Sequence, residues 1–263
     1  SALLSVFGNG VISNIARNIV SVQFDTLSIR YSMPQWIVDR FVAAYGEKKA
    51  EEIFKAFHSK STISIRTNLT RCTPDELRAT LEAEGVTVTA IDELNYAFVI
   101  SGFDYLNGLQ SFRDGLFYVQ DISSMLVAQT AAPKKCDYVI DVCAAPGGKS
   151  THIAELLQGS GHVLARDLTD NKVDMIEENI ERHGLNNMSA EVWDATVFDA
   201  DSAGKADILI CDLPCSGLGV LGRKKDIRYK MTPESVDELA ALQRQILDTV
   251  HTYVKPNGVL VYS

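Results

Sequence analysis

Two short segments carry residue types that can do chemistry. Asp212-Leu213-Pro214-Cys215-Ser216-Gly217 presents a thiol three residues after a carboxylate, and Asp141-Val142-Cys143-Ala144-Ala145-Pro146-Gly147-Gly148-Lys149-Ser150 holds a glycine pair before a predicted helix. Each follows an apolar run, Tyr138-Val139-Ile140 or Ile208-Leu209-Ile210-Cys211, as buried parallel strands do when their carboxyl ends carry a site. The glycine segment suits a nucleotide-like cofactor, because a turn without side chains lets backbone approach a ligand. Pro214 stiffens the backbone that presents Cys215, which points to a thiol working beside a base. Gly148-Lys149-Ser150 also resembles the end of a phosphate-binding loop, but that loop needs a glycine where Cys143 stands, which disfavours a nucleotide triphosphatase. The Gly147-Gly148 turn lacks the G-x-G-x-x-G that dinucleotide enzymes carry between first strand and first helix.

Two acids extend the cofactor reading. Asp167 follows the second predicted strand, about 20 residues beyond the glycines, where a carboxylate can accept hydrogen bonds from a ribose diol. Asp194 comes after Glu191-Val192-Trp193 at the end of the third, where an acid can take an adenine amino group. Either acid alone reads equally well as a solvated or helix-capping aspartate; their placement at successive strand ends favours ligand contact. The five cysteines are odd in number and form no Cys-x-x-Cys with companion histidines, so neither a disulfide scaffold nor a metal site is expected. Cys143 and Cys211 read as structural thiols. Cys215 lies past its strand, before a basic loop that favours thiolate, and is expected to react.

These residues must be held by larger elements. With 263 residues, 46% of them hydrophobic, the chain can bury a substantial core and is expected to form two units. No run approaches the ~18 apolar residues that span a bilayer, and the first residues lack the basic region of a secretion signal, so a cytoplasmic protein with no membrane contact is expected. A net charge of −9 argues against non-specific coating of nucleic acid. The stretch Arg223 to Lys230 nevertheless holds five basic residues against one acid, and Arg223, Lys224, Lys225, Arg228 and Lys230 are candidate phosphate contacts, with a solvated surface loop as the alternative. Apolar spacing predicts helices near 33–41 and 47–57, then a strand over 61–67, a helix opened by Thr73-Pro74-Asp75-Glu76, and strands at 86–88 and 97–100, a small α+β unit. Residues 115–121 lead into a helix over 122–131, and Pro133-Lys134-Lys135 marks a boundary. Beyond it, strands at 138–142, 162–166, 189–193, 207–211 and 258–262 are interleaved with helices at 149–157, 170–182 and 233–254. That order predicts a doubly wound α/β domain with a parallel sheet. The expected division is 1–24, 25–132 and 133–263.

From about residue 25 onward the chain resembles the RNA 5-methylcytosine methyltransferases of the Sun/Fmu family. Ile29-Arg30-Tyr31-Ser32, Phe117-Tyr118-Val119-Gln120-Asp121, the Cys143 to Lys149 loop, Asp212 to Gly217 and Asp226-Ile227-Arg228-Tyr229 fall in the family order. The resemblance implies a Rossmann-like S-adenosylmethionine-dependent methyltransferase domain preceded by a small α+β domain, ferredoxin- or RRM-like, that positions RNA. It implies S-adenosylmethionine held by Cys143, Ala144, Ala145, Pro146, Gly147, Gly148, Lys149, Asp167, Asp194 and Asp212. It further implies methylation at carbon 5 of a cytosine in RNA, with 16S ribosomal RNA the expected substrate, through a cysteine bonded to carbon 6. In the family the attacking cysteine belongs to a Thr-Cys motif after the sixth strand. Cys215 would then assist product release, and Asp212 would hydrogen-bond the cytosine edge. The target base is expected to be unpaired or flipped. The nucleophile is expected just beyond Ser263, and residues 1–24 as the remnant of a helical RNA-binding domain, so the chain reads as an internal fragment of a monomeric enzyme. Three rivals stay open: the same chemistry on transfer RNA, a catalytically silent cofactor-dependent RNA-binding module, and a DNA cytosine methyltransferase, which the Cys-Ala-Ala-Pro-Gly-Gly-Lys loop does not suit.

Overall fold

The first helical signals are realised as α1 (Leu27–Arg30), α2 (Gln35–Tyr45) and α3 (Glu47–Phe57) in the computed structural model, which describes residues 26–59 and 62–263. Residues 1–24, expected as the remnant of a helical RNA-binding domain, lie outside the described residues. Gly46, at φ +77°, lets the chain reverse between α2 and α3. Phe41 and Phe54 close the interface with ring centroids 5.3 Å apart. These helices form a compact unit with Gly217–Pro233 from far along the chain. The link is polar: Arg228 is buried and donates to Ser32 O at 3.1 Å and Tyr31 O at 3.4 Å, while the Tyr229 hydroxyl donates to Ser32 O at 3.3 Å. Two of the segments that carry the family resemblance thus bond to one another.

The second compact unit contains both sheets. The smaller is built from β1 (Ile63–Thr67), β2 (Thr87–Ala90), β3 (Ala97–Ser101) and β4 (Phe117–Val119), all antiparallel in the order β2-β3-β1-β4. Helix α4 (Pro74–Ala83) joins β1 to β2, opened by the expected capping box between Thr73 and Glu76. Its Leu77 and Leu81 pack on Ile65, Phe98 and Phe117. This is a ferredoxin-like arrangement whose second helix is reduced to the one-turn pieces Leu106–Gly108 and Gln110–Arg113. Residues 117–119 belong to this sheet, although the sequence reads them only as a lead into the next helix. The opposite face of β1 is also covered, because Ser64 and Arg66 alternate with Ile65 and are buried.

Helix α5 (Ile122–Ala131) leads to the larger sheet: β5 (Tyr138–Asp141), α6 (Gly148–Leu156), β6 (His162–Asp167), α7 (Asp170–His183), β7 (Met188–Val192), β8 (Ala206–Cys211), α8 (Pro233–Val250) and β9 (Val254–Tyr262). Its strands are all parallel, in the order β7-β6-β5-β8-β9. Ala128, Ile153 and Ile176 from α5, α6 and α7 pack on one face, and Ile246 and Val250 of α8 on the other. The sequence runs α8 to 254 and starts the last strand at 258. Instead the helix ends at Val250, a tight turn covers His251–Tyr253, and β9 begins at Val254. A register shift between the pairs Ala206↔Val254 and Ile208↔Val259 absorbs Pro256, which has no N–H to pair, and Asn257 at φ +65°. Strand order reverses between β5 and β8, which opens a crevice at their carboxyl ends.

Candidate cofactor and catalytic cleft

The crevice is a cleft of ≈ 310 Å³, within the range of small-molecule sites. Cys143, Ala145, Asp167, Asp194, Asp212 and Cys215 all line it, so segments separated by more than seventy positions meet at one sheet end. Leu168, Ala195, Leu213 and Ile246 give it apolar walls.

The β5–α6 loop is held from several sides. Ala144 N–H donates to Arg166 O at 2.8 Å, and Gly147 N–H closes a tight turn onto Ala144 O at 2.6 Å. Gly147 sits at φ +100°, the left-handed region that a side chain disfavours. Gly148 is small for another reason: a Cβ there would lie 3.0 Å from the Tyr118 ring, so this glycine accommodates β4 behind the loop. Tyr118 OH donates to Pro146 O at 3.3 Å, and Gln120 and Arg66 donate to Gly148 O at 3.1 and 3.0 Å. The small sheet therefore backs the β5–α6 loop. Beneath the loop, Asp141 is fully buried, accepting from Ser150 Oγ at 2.5 Å, and burial pushes its carboxyl up to about 7.

Asp167 is nearly buried. Its oxygens accept from Ala145 N at 2.9 Å, Leu168 N at 2.8 Å and Lys172 Nζ at 2.8 Å, so this acid shapes the loop as well as facing the cleft. Asp194 is exposed and accepts from Thr196 N at 2.9 Å and Thr196 Oγ1 at 2.7 Å, bonds that hold its carboxyl below the usual carboxylate range. Lys149, at the start of α6, pairs with Asp212 across the cleft end. Cys215 is exposed, whereas burial pushes the Cys143 and Cys211 thiols up to about 12 and keeps them protonated at neutral pH. All five cysteines are free, and among the described residues no group of His, Cys, Asp or Glu is arranged to hold a metal.

Sequence reasoning missed Trp193 and Lys172, which also line the cleft. The Arg166 guanidinium lies 5.0 Å from the Trp193 ring centre, and Trp193 Nε1 donates to Val197 O at 3.0 Å, so the ring is fixed from two sides. Its position directly before Asp194 was the available signal. The basic run separates by role. Arg223, Lys224, Lys225 and Lys230 are exposed, with Lys230 paired to Asp226 at 2.7 Å. Arg228 is buried on backbone carbonyls and is not presented to a phosphate. The run belongs to the other compact unit from the cleft.

The residues present fit a nucleoside cofactor: carboxylates at the ends of β6, β7 and β8, an indole and apolar walls. Together with the 3-2-1-4-5 strand order of a parallel sheet, they define the class, a Rossmann-like S-adenosylmethionine-dependent methyltransferase core joined to a ferredoxin-like domain. Residues 128–263 match the family model described as "16S rRNA methyltransferase RsmB/F", and residues 33–103 match the model of that family's ferredoxin-like domain. The chain belongs to the RsmB/F family. It is 37% identical to the probable ribosomal RNA small subunit methyltransferase B of Bacillus subtilis, covering 99% of this chain and 60% of that protein. It is 31% identical to ribosomal RNA small subunit methyltransferase B of Shewanella oneidensis, covering 97% and 59%. The chain thus spans about 60% of the length of these relatives. Among solved structures, PH0851 is similar at TM-score 0.86 and 28% identity, with 90% of this chain and 54% of that one covered. NSun6 from Pyrococcus horikoshii with SFG shares the fold at TM-score 0.77 and 22% identity, covering 87% and 82%.

Proposed function

We propose that this chain is the core of an enzyme that methylates carbon 5 of a cytosine in RNA, with 16S ribosomal RNA as substrate. The observation that carries the reading is the exposed Cys215 thiol beside Asp212 in the same cleft as the cofactor carboxylates. S-adenosylmethionine supplies an electrophilic methyl group when bound. Asp167 and Asp194 would hold its ribose and adenine, with Cys143 to Lys149 along the loop and Asp212 at the reacting end. Carbon 5 of cytosine is a poor nucleophile. A thiolate adding to carbon 6 makes carbon 5 electron-rich; carbon 5 then takes the methyl group, loses its proton to a base, and the thiol leaves carbon 6 as the ring double bond re-forms. Asp212 would hydrogen-bond the cytosine edge, and Cys215 would assist the final expulsion. The attacking cysteine would lie just beyond Ser263. In support, Ser263 N–H donates to Cys211 O at 3.1 Å, so chain continuing from this point would emerge beside Asp212.

In this reading the residues 25–132 help to position RNA, and the exposed Arg223, Lys224 and Lys225 contact its backbone. The enzyme would work as a monomer in the cytoplasm, where ribosomal RNA is made. The experiment is methyl transfer from labelled S-adenosylmethionine to 16S ribosomal RNA by the chain extended past Ser263, with the product base identified by mass spectrometry. 5-Methylcytosine in that RNA is expected. Transfer only to transfer RNA would reassign the substrate, and cofactor binding without transfer to any RNA would leave a silent binding module.

A further inference from the structure

We infer that Gln243 is a positioning residue for the Cys215 thiol, an inference that rests on the proposed role of Cys215 and deepens it. Gln243 lies on α8 next to Leu242, which lines the cleft together with Ile246. Its side-chain nitrogen donates to Pro214 O at 2.7 Å, and its side-chain oxygen accepts from Tyr262 OH at 3.0 Å. One amide therefore bridges the Pro-Cys loop and the end of β9.

The consequence follows from peptide geometry. Residues 212–217 have no regular secondary structure, so strand or helix bonds do not hold Cys215 in place. The Pro214 carbonyl belongs to the planar peptide that ends at the Cys215 Cα. Anchoring that oxygen restrains the plane, and with it the position of the Cys215 N and Cα from which the side chain leaves the backbone. The second arm reaches Tyr262, which pairs with Cys211 in the register of β8 and β9. Only a side chain with both a donor and an acceptor can make this bridge, and at this length glutamine is such a residue. The bridge therefore holds the loop that carries Cys215 at a set distance from the end of the strand on whose far side the proposed nucleophile follows.

Three substitutions separate the arms. Gln243→Glu keeps the shape and the acceptor for Tyr262 but loses the donor to Pro214; Gln243→Leu loses both; Tyr262→Phe removes the second arm alone. In the first measurement the 263-residue chain is alkylated with iodoacetamide, and modification of Cys215 is followed by peptide mass spectrometry against the exposed Cys136 as internal standard. Losing the bond to Pro214 should change the Cys215 rate about threefold or more in both Gln243 variants, with Cys136 unchanged and Tyr262→Phe giving a smaller effect. An unchanged Cys215 rate, or equal changes at both cysteines, would overturn the proposal. In the second, the full-length enzyme is followed through a single turnover on 16S ribosomal RNA. Both Gln243 variants should form the covalent RNA adduct at near the wild-type rate but resolve it about tenfold more slowly, with S-adenosylhomocysteine affinity unchanged. Loss of adduct formation and cofactor affinity together would make Gln243 merely structural and overturn the proposal. If Cys215→Ala releases RNA as fast as the wild type, the release role of Cys215 falls, while the alkylation ratio still decides whether Gln243 sets the thiol.

Discussion

Arg66 of β1 and Glu155 of α6 form an ion pair, Nη2 to Oε1 at 2.8 Å, with side chains only 1% and 2% exposed. The remaining guanidinium donors reach Glu155 Oε2, Thr151 Oγ1, Gln120 Oε1 and Gly148 O, so the charge is fully hydrogen-bonded. The pair joins the ferredoxin-like sheet to the helix that starts at the Gly147 turn. Glu155→Gln leaves the guanidinium uncompensated and should cost about 3–5 kcal/mol in urea unfolding. The double variant Arg66→Met, Glu155→Leu should recover most of that loss. A double variant no more stable than the single one would show that the charges are needed as charges.

Asp167 carries the cofactor prediction. Asp167→Ala removes an acceptor facing the cleft and also frees Ala145 N–H and Lys172. Losing a charge-assisted hydrogen bond should cost on the order of 1.5–3 kcal/mol, about tenfold or more in S-adenosylhomocysteine affinity by calorimetry. Asp167→Asn keeps one acceptor and should lose less. Equal affinity in all three forms would remove Asp167 from the site.

Asp141 makes a pH prediction. Burial raises its carboxyl to about 7, well above its value of 3.8 in an unfolded chain. Folding therefore takes up a proton between these values, so this stabilising contribution is full below about pH 4 and is lost as pH rises through 7. Asp141→Asn abolishes the uptake. The stability of the wild type relative to this variant should fall by roughly 4 kcal/mol at most between pH 4 and 8. A difference that stays flat, or that grows with pH, would place the ionised form in the folded state throughout.

The large sheet was legible because apolar runs alternated with helical periods, and strand-end acids at 167, 194 and 212 followed directly from that order. Arg66 was not legible. In Ile63-Ser64-Ile65-Arg66-Thr67 it reads as the solvent side of a half-buried strand, and its partner lies 89 positions away. Arg228 failed in the opposite way, since a cation inside a basic run looks like a phosphate contact until the carbonyls of Tyr31 and Ser32 are seen to take it. Long-range polar pairing leaves no period in the sequence, so it is invisible to pattern reasoning.

That distinction can be tested in RNA binding by the full-length enzyme. Lys224→Ala with Lys225→Ala should flatten the salt dependence of affinity by about 1.4–1.8, using ~0.7–0.9 per phosphate contact, while leaving the melting temperature near wild type. Arg228→Ala should lower the melting temperature, because it removes a buried guanidinium and its bonds to the carbonyls of Tyr31 and Ser32. An unchanged slope in the double variant would make the run a solvated surface.

The role of Cys215 decides the chemistry. If the attacking thiol lies beyond Ser263, the 263-residue chain should bind cofactor yet transfer no methyl group, and the extended chain should methylate. In the extended enzyme Cys215→Ala should still attack carbon 6 and methylate carbon 5, but it should expel its own thiol slowly. A protein–RNA adduct that survives denaturing electrophoresis should then accumulate. Burial keeps Cys143 and Cys211 from substituting for either thiol, since both are held up near 12. Were Cys215 the nucleophile, the same substitution would abolish the adduct and the present chain would turn over unaided. The carboxylate three residues before it, Asp212, would then act beside the attacking thiol, as in enzymes that place their nucleophile in a Pro-Cys motif.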